Sequence, residues 1–197
     1  MFALSSLGSF AATPMVSSGW QHTLALQSDG TVLSWGSDEF GQLGIGRAVL
    51  SASPLQVPGL DSVKAISSGA NHLLVVKQDG TAWAWGANSQ GQLGDGSTTD
   101  RSNPVQVQGL TGAVTVASGL NHSLARKQDG TVWTWGVNRD CQSGNGTGND
   151  STTTEPDNRL VPVPSPGVTG VATLSVGGYN LAAFRPDGKV WAARWAR

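Results

Sequence analysis

Apolar and polar residues alternate in short runs along the chain, and glycine-containing turns separate the runs. In the run 131–135, Thr-Val-Trp-Thr-Trp, a period of two places both tryptophans on one face of a strand and the valine and inner threonine on the other. The runs at 81–85 and 31–35 repeat this arrangement of bulky against small side chains. Alternation over so few residues predicts short β-strands, so the chain is predicted to be all-β.

The strand pattern belongs to a sequence repeat with a period of 50 residues. The segments 17–36, 67–86 and 117–136 align without a gap, and a fourth copy at 175–194 follows after 58 residues. The extra residues fall in the Thr/Asn/Gly-rich loop 147–159, where a loop lengthens at small entropic cost.

The similarity extends upstream of each segment, which sets the limits of four units in one repeat domain, 1–197. Pro54-Leu-Gln-Val-Pro-Gly-Leu60 matches residues 104–110 at the same offset, and residues 4–10 and 162–168 are degenerate copies. The predicted units are 4–36, 54–86, 104–136 and 162–194.

Each unit contains an Asp-Gly pair between two strand patterns. Asp29-Gly30 has counterparts at 79–80, 129–130 and 187–188, and this pair predicts a hairpin with a type I′ turn. With a strand near Val57 and another near 63–66, each unit has about four strands. Repeated four-stranded units form either a propeller or a β-solenoid. Strands with one bulky and one small face favour radially packed blades, in which each large face lies on its neighbour's small face.

The combination S-S-G-x-x-H-x-L-x-x-x-x-D-G-x-x-x-x-W-G-x-x-x-x-G-Q-L-G resembles the repeat of the regulator of chromosome condensation family, and it covers nearly all of the chain. The resemblance implies a β-propeller, which in this family usually has seven blades. Four units then imply a fragment, a small four-bladed ring, or assembly with other copies. Because both terminal units are degraded, we expect an open arc that self-associates or lacks neighbouring repeats, rather than a closed ring.

Charge and composition exclude several classes of partner. The 12 Lys+Arg and 13 Asp+Glu give a formal net charge of −1 without charge runs, so neither nucleic acid nor a membrane surface is an expected partner. No transmembrane stretch or secretory signal is visible, and the sequence assigns no compartment. The single cysteine, Cys141, excludes an internal disulfide.

Two recurring features suggest chemistry, and each has a structural explanation. His22, His72 and His122 could together hold zinc, but the fourth unit has Asn180, so a structural role for this position is favoured and no metal is expected. The G-Q-L-G connectors lack the Lys-Ser/Thr of a phosphate-binding loop, and no catalytic constellation recurs. The chain is therefore predicted to be non-enzymatic and to need no cofactor.

Function is expected in positions that vary between units on a constant frame. The loops after each Trp-Gly vary most. For Phe40, the aromatic residue in these loops, the structural alternative to binding is packing beneath its own loop. The candidate protein-binding residues are Asp38, Glu39, Phe40, Gln90, Arg139 and Asp140. The inserted loop 147–159 is a second candidate, with simple disorder as its alternative.

The function predicted from these features is a protein-interaction scaffold whose partner is a protein of unknown identity. The resemblance also implies an alternative, a guanine-nucleotide exchange factor acting on a small GTPase. A more distant alternative is a secreted inhibitor-like or glycan-binding propeller.

Overall fold

The computed structural model describes residues 11–47, 50–139, 141, 157–178 and 180–193. Within these ranges the chain forms four antiparallel sheets, here called blades 1 to 4. Blade 1 contains β1 (Met15–Ser18), β2 (His22–Leu26), β3 (Val32–Gly36) and β4 (Ser51–Gln56). Blade 2 contains β5 (Val63–Ser68), β6 (His72–Lys77), β7 (Ala82–Gly86) and β8 (Arg101–Gln106). Blade 3 contains β9 (Ala113–Ser118), β10 (His122–Lys127), β11 (Val132–Gly136) and β12 (Arg159–Pro164). Blade 4 contains β13 (Thr173–Val176), β14 (Leu181–Phe184) and β15 (Val190–Ala193).

Every blade is a meander in which strands pair in sequence order. The inner strands contact one another from blade to blade, β1 with β5, β5 with β9 and β9 with β13. The four sheets therefore form an open arc of blades around a common axis, which confirms the predicted partial propeller. No helix in the described ranges is long and apolar enough to cross a membrane.

The blades are offset from the predicted sequence units. The Pro-x-x-Val segment that begins each unit supplies the outermost strand of the preceding blade: β4 pairs with β3, and β8 pairs with β7. Residues 54–56 of the second unit thus lie in blade 1. The physical reason is the connector after each Trp-Gly, which turns back and brings the next strand to the free edge of the sheet it has just left. The first residues of the predicted first unit, 4–10, lie outside the described residues.

The four Asp-Gly hairpins are confirmed, but the predicted type I′ turn is wrong. A type I′ turn needs positive φ at both central residues, and in the first hairpin only Gly30, at 84°, has one. The loop is one residue longer, with Gly30 N donating to Gln27 O at 3.0 Å and Gln27 N donating to Thr31 O at 2.9 Å. Asp29 Oδ1 accepts a hydrogen bond from Thr31 N at 2.9 Å, so the aspartate stabilises the turn through its side chain.

The core lies between blades, and large faces pack on small faces as predicted. In blade 2, the cross-strand partners Leu73 and Trp85 face blade 1, whereas Leu74 and Ala84 face blade 3. Trp135 of blade 3 is completely buried against that small face. Since each buried aromatic removes roughly 150–250 Å² from water, these tryptophans are the main apolar anchors of the arc.

Candidate protein-interaction surface

Two kinds of loop meet at one edge of each of blades 1 to 3. The turn between the first two strands lies beside the connector that follows the third, because Ser37 N donates to Gln21 O at 2.7 Å and Ala87 N donates to Asn71 O at 2.8 Å. This edge, here called the connector face, comprises the turns 19–21, 69–71 and 119–121 and the connector segments 37–47, 87–100 and 137–139. The Asp-Gly hairpins lie at the opposite edge.

The connectors of blades 1 and 2 share one internal frame. Asp38 Oδ1 accepts a hydrogen bond from Leu43 N at 2.7 Å, and Asn88 Oδ1 accepts one from Leu93 N at 2.9 Å. Gln42 Oε1 accepts from the backbone N–H of residue 40 at 2.7 Å, and Gln92 repeats this contact in blade 2. Because these side chains are buried and occupied with backbone groups, they hold the loop in shape beneath its exposed tip.

The same connectors also form hydrogen bonds with the next blade. Trp85 Nε1 donates to Gln42 O at 3.0 Å, and Trp135 Nε1 donates to Gln92 O at 2.9 Å. The last glycine of G-Q-L-G lies flat on the ring: a Cβ added at Gly94 would fall 2.8 Å from Trp135 Nε1. The repeated G-Q-L-G and Trp-Gly motifs are therefore two halves of one contact, here called the clasp.

A polar cluster fixes the rest of the blade 2 connector. Asn88 Nδ2 donates to Asp95 Oδ1 at 3.1 Å, and Arg101 Nη2 lies 2.8 Å from Asp95 Oδ2. Burial alone raises the pKa of Asp95, but hydrogen bonds from Ser97, Arg101 and Asn88 outweigh burial and hold that pKa below its usual value. This carboxylate therefore remains ionised and organises the loop.

The predicted binding residues divide into exposed tips and buried supports. Glu39 and Arg139 are exposed, and Phe40 is half-buried. Gln90 is also half-buried, and its Oε1 accepts a hydrogen bond from Asn158 Nδ2 at 2.9 Å. This bond joins the blade 2 connector to the residue before β12 of blade 3. Asp38 is buried within the connector frame.

Two other predictions cannot be placed. Asp140 lies outside the described residues, as do residues 147–156 of the inserted loop. Cys141 is exposed and has a φ of 59°, close to the 78° of its counterpart Gly41, so it occupies a backbone conformation that suits glycine.

Among the described residues, the most exposed aromatic side chain on the connector face was absent from the predictions. Trp20 is 70% exposed and stands at the mouth of a cavity of about 220 Å³. The cavity lies on the arc axis, where the Ser-Gly ends of the inner strands of blades 1 to 3 and Val176–Gly178 of blade 4 line it. The sequence contained a usable signal, because this repeat position varies as Trp20, Ala70, Leu120 and Gly178.

The three repeated histidines lie beside this axis and are buried. Burial lowers the pKa of His22 and of His122 to about 4. Burial and the neighbouring histidines lower the pKa of His72 to about 3, and its Nε2 lies 2.9 Å from Ser123 Oγ of the next blade. These rings are therefore neutral and pack between blades. In the described part of the chain, no group of three His, Cys, Asp or Glu side chains is arranged to hold a metal ion.

Comparison with known sequences identifies the repeat. Two family models described as the regulator of chromosome condensation (RCC1) repeat match the chain, one at residues 29–76 and 79–126, the other at 63–92 and 113–142. Together they cover residues 29–142 without a gap. The ultraviolet-B receptor UVR8 of Arabidopsis thaliana is 45% identical over 51 residues, which are 26% of this chain and 12% of the receptor.

Solved structures show the same architecture. Prp20p of Saccharomyces cerevisiae superposes with a TM-score of 0.78 at 25% identity, covering 90% of this chain and 44% of that one. Human WBSCR16 superposes with a TM-score of 0.76 at 27% identity, covering 91% and 46%. The chain thus spans less than half the length of these structures. Its motifs, its blades and the matched family models agree, and the chain belongs to the regulator of chromosome condensation repeat family.

Proposed function

We propose that this protein is a non-enzymatic scaffold that binds a partner protein through the connector face. One observation carries the proposal: the exposed positions of this face change from blade to blade, whereas the glutamine support beneath the tip is the same in blades 1 and 2. Glu39 becomes Arg139 at the same repeat position, while the Gln42 and Gln92 supports make equivalent bonds. A frame that is held constant under variable tips is typical of repeat proteins that bind through one surface.

Trp20 is the expected centre of the binding surface. Tryptophan is enriched among the interface residues that contribute most to binding, and Trp20 is largely exposed beside an axial cavity. Glu39 and Phe40 lie on the same edge of the same blade. An aromatic centre with charged residues at its margin resembles the core and rim of a protein–protein interface.

The similar structures support a protein as the partner. The Prp20p structure is described with binding to Gsp1p and histones, and a second structure shows yeast RCC1 bound to Kap60. Those partners belong to those proteins. For this chain they support the general proposal that the arc of blades presents a surface to another protein.

Affinity capture with quantitative mass spectrometry tests the proposal. The binding variant is Trp20→Ala combined with Glu39→Ala, and the control is Gln78→Ala combined with Gln128→Ala, at exposed positions on the opposite, hairpin edge. We expect a captured protein to be lost with the first pair and kept with the second, when thermal unfolding shows both variants folded. Equal capture by both variants would contradict a connector-face site.

A second candidate, nucleotide exchange on a small GTPase, is favoured by the superposition on Prp20p. Release of a labelled guanine nucleotide from Ran-type small GTPases, followed by stopped-flow fluorescence, distinguishes the two functions. Acceleration by the wild-type chain supports exchange activity, and binding without acceleration supports a scaffold.

A further inference from the structure

Each repeated histidine packs on the backbone of a connector-face turn. A Cβ added at Gly19 would fall 2.1 Å from His22 Cε1, and one added at Gly119 would fall 2.2 Å from His122 Cε1, so the ring occupies the space of a missing side chain. The same residues close the turn, because Gly19 N donates to His22 O at 3.0 Å and Gly119 N donates to His122 O at 2.9 Å. The position of the turn therefore depends on the position of the ring.

The turn of blade 1 carries the bonds that position Trp20. The backbone N–H of Trp20 donates to Ala70 O of blade 2 at 3.2 Å. The neighbouring Gln21 O accepts a hydrogen bond from Ser37 N of the connector at 2.7 Å. A displaced turn loses these bonds, so the centre of the proposed binding surface depends on the ring of His22.

The three rings differ in their polar partners. Ser123 Oγ donates its single proton to Gln92 O at 2.7 Å, so His72 Nε2, at 2.9 Å, donates to that hydroxyl oxygen. The repeat positions equivalent to Ser123 are Leu73 in blade 2 and Leu181 in blade 4, and leucine offers no hydroxyl. The arrangement that pairs the ring of blade 2 is therefore missing for the rings of blades 1 and 3.

His22 and His122 are buried without a polar partner. They are 4% and 2% exposed, and neither nitrogen of either ring has a hydrogen-bond partner among the described residues. A neutral imidazole leaves one N–H unpaired, whereas a protonated imidazole leaves two N–H groups and a charge unpaired. Because an unpaired buried charge costs far more than an unpaired buried polar group, the protonated ring cannot remain in its site.

Neighbouring charges do not offset this cost. Apart from exposed connector residues, the described ionisable side chains on the strands and connectors around the two rings are Asp38, Lys64, His72, Lys77, Asp95, Arg126 and Lys127. None of them contributes to the pKa of His22 or of His122, which burial alone lowers to about 4. No carboxylate among them therefore balances a proton on either ring.

From this geometry we propose that acid opens the connector-face turns of blades 1 and 3. A proton on His22 forces the ring out from between blades 1 and 2, the turn 19–21 loses its support, and Trp20 leaves its place in the binding surface. His72 has a hydrogen bond to Ser123 to lose, so the turn of blade 2 opens at a higher free energy. The inference rests on the proposed function for the role of Trp20, and it makes partner binding weaker in acid.

The size of the effect follows from proton linkage. A released ring has the ordinary histidine pKa of about 6.5, so below this pH the open turn binds a proton that the closed turn excludes. The population of the open turn therefore rises about tenfold for each pH unit between about pH 6.5 and about pH 4. Above about pH 7 it is constant, because the ring is neutral in both states.

Amide hydrogen exchange followed by nuclear magnetic resonance, between about pH 7 and about pH 4.5, tests the inference on the whole chain. The rates are corrected for the intrinsic pH dependence of exchange. The reporters are the amides of Trp20 and Leu120, each of which donates to a carbonyl of the next blade. The control is the amide of Gln27, which donates to Thr31 O at the hairpin edge of blade 1.

His22→Asn and His122→Asn are matched variants, because each introduces the residue that blade 4 has at this position and leaves the other histidine in place. In the wild type, protection of both reporter amides should fall about tenfold per pH unit below about pH 6.5, more steeply than protection of Gln27. His22→Asn should abolish this dependence at Trp20 alone, and His122→Asn at Leu120 alone. Glutamine replaces asparagine in a variant that circular dichroism shows to be unfolded.

A Trp20 amide whose protection in the wild type does not change with pH would overturn the inference. So would an equal acid dependence in the wild type and in the folded His22 variant, since another group would then open the turn. Hydrogen exchange needs no partner. A failed partner capture therefore leaves this result standing, and a failure here leaves the proposed binding site untouched.

Discussion

Blades 2 and 3 pack through the same strands as blades 3 and 4, but different side chains make the two contacts. In the first, Trp135 is completely buried, its Nε1 donates to Gln92 O at 2.9 Å, and Gly94 lies on its ring. In the second, the tryptophan position is occupied by Ala193, and the connector of blade 3 reads Cys-Gln-Ser-Gly from residue 141. The tryptophan half of the clasp is therefore missing, and the connector has lost its first glycine and its leucine but keeps the last glycine as Gly144.

The polar bonds between inner strands show the same difference. Ser67 Oγ accepts from Ser118 N at 3.0 Å between blades 2 and 3. The corresponding residue of blade 3 is Ala117, which has no hydroxyl to offer to blade 4. Among the described residues two backbone bonds remain, from Leu120 N to Gly178 O at 3.0 Å and from Val171 N to Gly130 O at 3.2 Å, together with the apolar contact of Leu124 with the buried side of blade 4.

The difference shows that the residues of the repeat motif make contacts between blades rather than within one blade. The tryptophan of one blade and the connector of the preceding blade make a single contact, so the loss of the tryptophan removes this contact even where the connector glycine is kept. Blades 1 to 3 therefore form a clasped unit, and among the residues that the structure describes blade 4 is attached by fewer specific bonds.

The largest expected effect follows from removing the clasped tryptophan. Trp135→Ala leaves a cavity between blades 2 and 3 and should lower the free energy of unfolding by about 3–5 kcal/mol. Trp191→Ala, in blade 4, is the control: Trp191 is 42% exposed, so its loss should be clearly smaller. Urea denaturation measures both, and equal losses would contradict the assignment of the clasp as the main anchor.

The histidines are a second difference, since blade 4 has Asn180 at this position. His22, His72 and His122 have pKa values lowered from 6.5 by burial, to about 4 or about 3. Between these values and 6.5 the unfolded chain binds protons that the folded chain excludes, so their contribution to stability is complete above about pH 6.5 and decreases as the pH falls toward about 4.

Urea midpoints measured between about pH 7 and pH 4 test this dependence. His72→Asn, which introduces the residue of the fourth unit, should give a shallower loss of stability with acid than the wild type. The difference between the two curves separates His72 from carboxylates that titrate in the same range. Parallel curves would show that His72 carries no part of the acid sensitivity.

Restoring the first glycine of the blade 3 connector should raise the free energy of unfolding. Cys141 has a φ of 59°, a conformation that costs a residue with a Cβ roughly 1–2 kcal/mol, so Cys141→Gly should stabilise the chain by about 1 kcal/mol. Cys141→Ala keeps the Cβ and removes only the thiol, and it should give no gain. A gain of equal size in both variants would attribute the effect to the thiol instead.

The smallest expected effect concerns the missing hydroxyl between blades 3 and 4. Ala117→Ser supplies the acceptor that Ser17 and Ser67 supply in the other two contacts, and should add roughly 0.5–1.5 kcal/mol. Ser67→Ala is the mirror experiment and should remove a similar amount. If Ala117→Ser is neutral while Ser67→Ala is destabilising, blade 4 is held too far from blade 3 for the bond to form.

Much of this architecture follows from the sequence, because the repeat identifies equivalent positions. The strands, the hairpins and the packing of large faces on small faces were all predictable from period-two alternation around the Trp-Gly and Asp-Gly motifs. Two features could not be predicted from this pattern. The exchange of the outermost strand between neighbouring units is a matter of sheet pairing, and the turn type depends on whether Ser28 joins the loop.

The sequence pointed to the residues of the proposed binding surface only in part. Variation between units selected Glu39 and Arg139, which are exposed, but it could not distinguish these tips from Asp38, which the same loop buries as a support. The prediction omitted Trp20 because it lies in the turn before β2, and the sequence pattern does not place this turn beside the connector. The hydrogen bond from Ser37 N to Gln21 O brings the two together.

Native-state hydrogen exchange tests the central claim most directly, since it measures the opening free energy of each blade in the intact chain. We expect amides in β6 and β10 to exchange through a large opening with a strong dependence on denaturant, and amides in β14 through a smaller opening of blade 4 at lower free energy. The same opening free energy and denaturant dependence in all three strands would contradict the distinction between the clasped blades and blade 4.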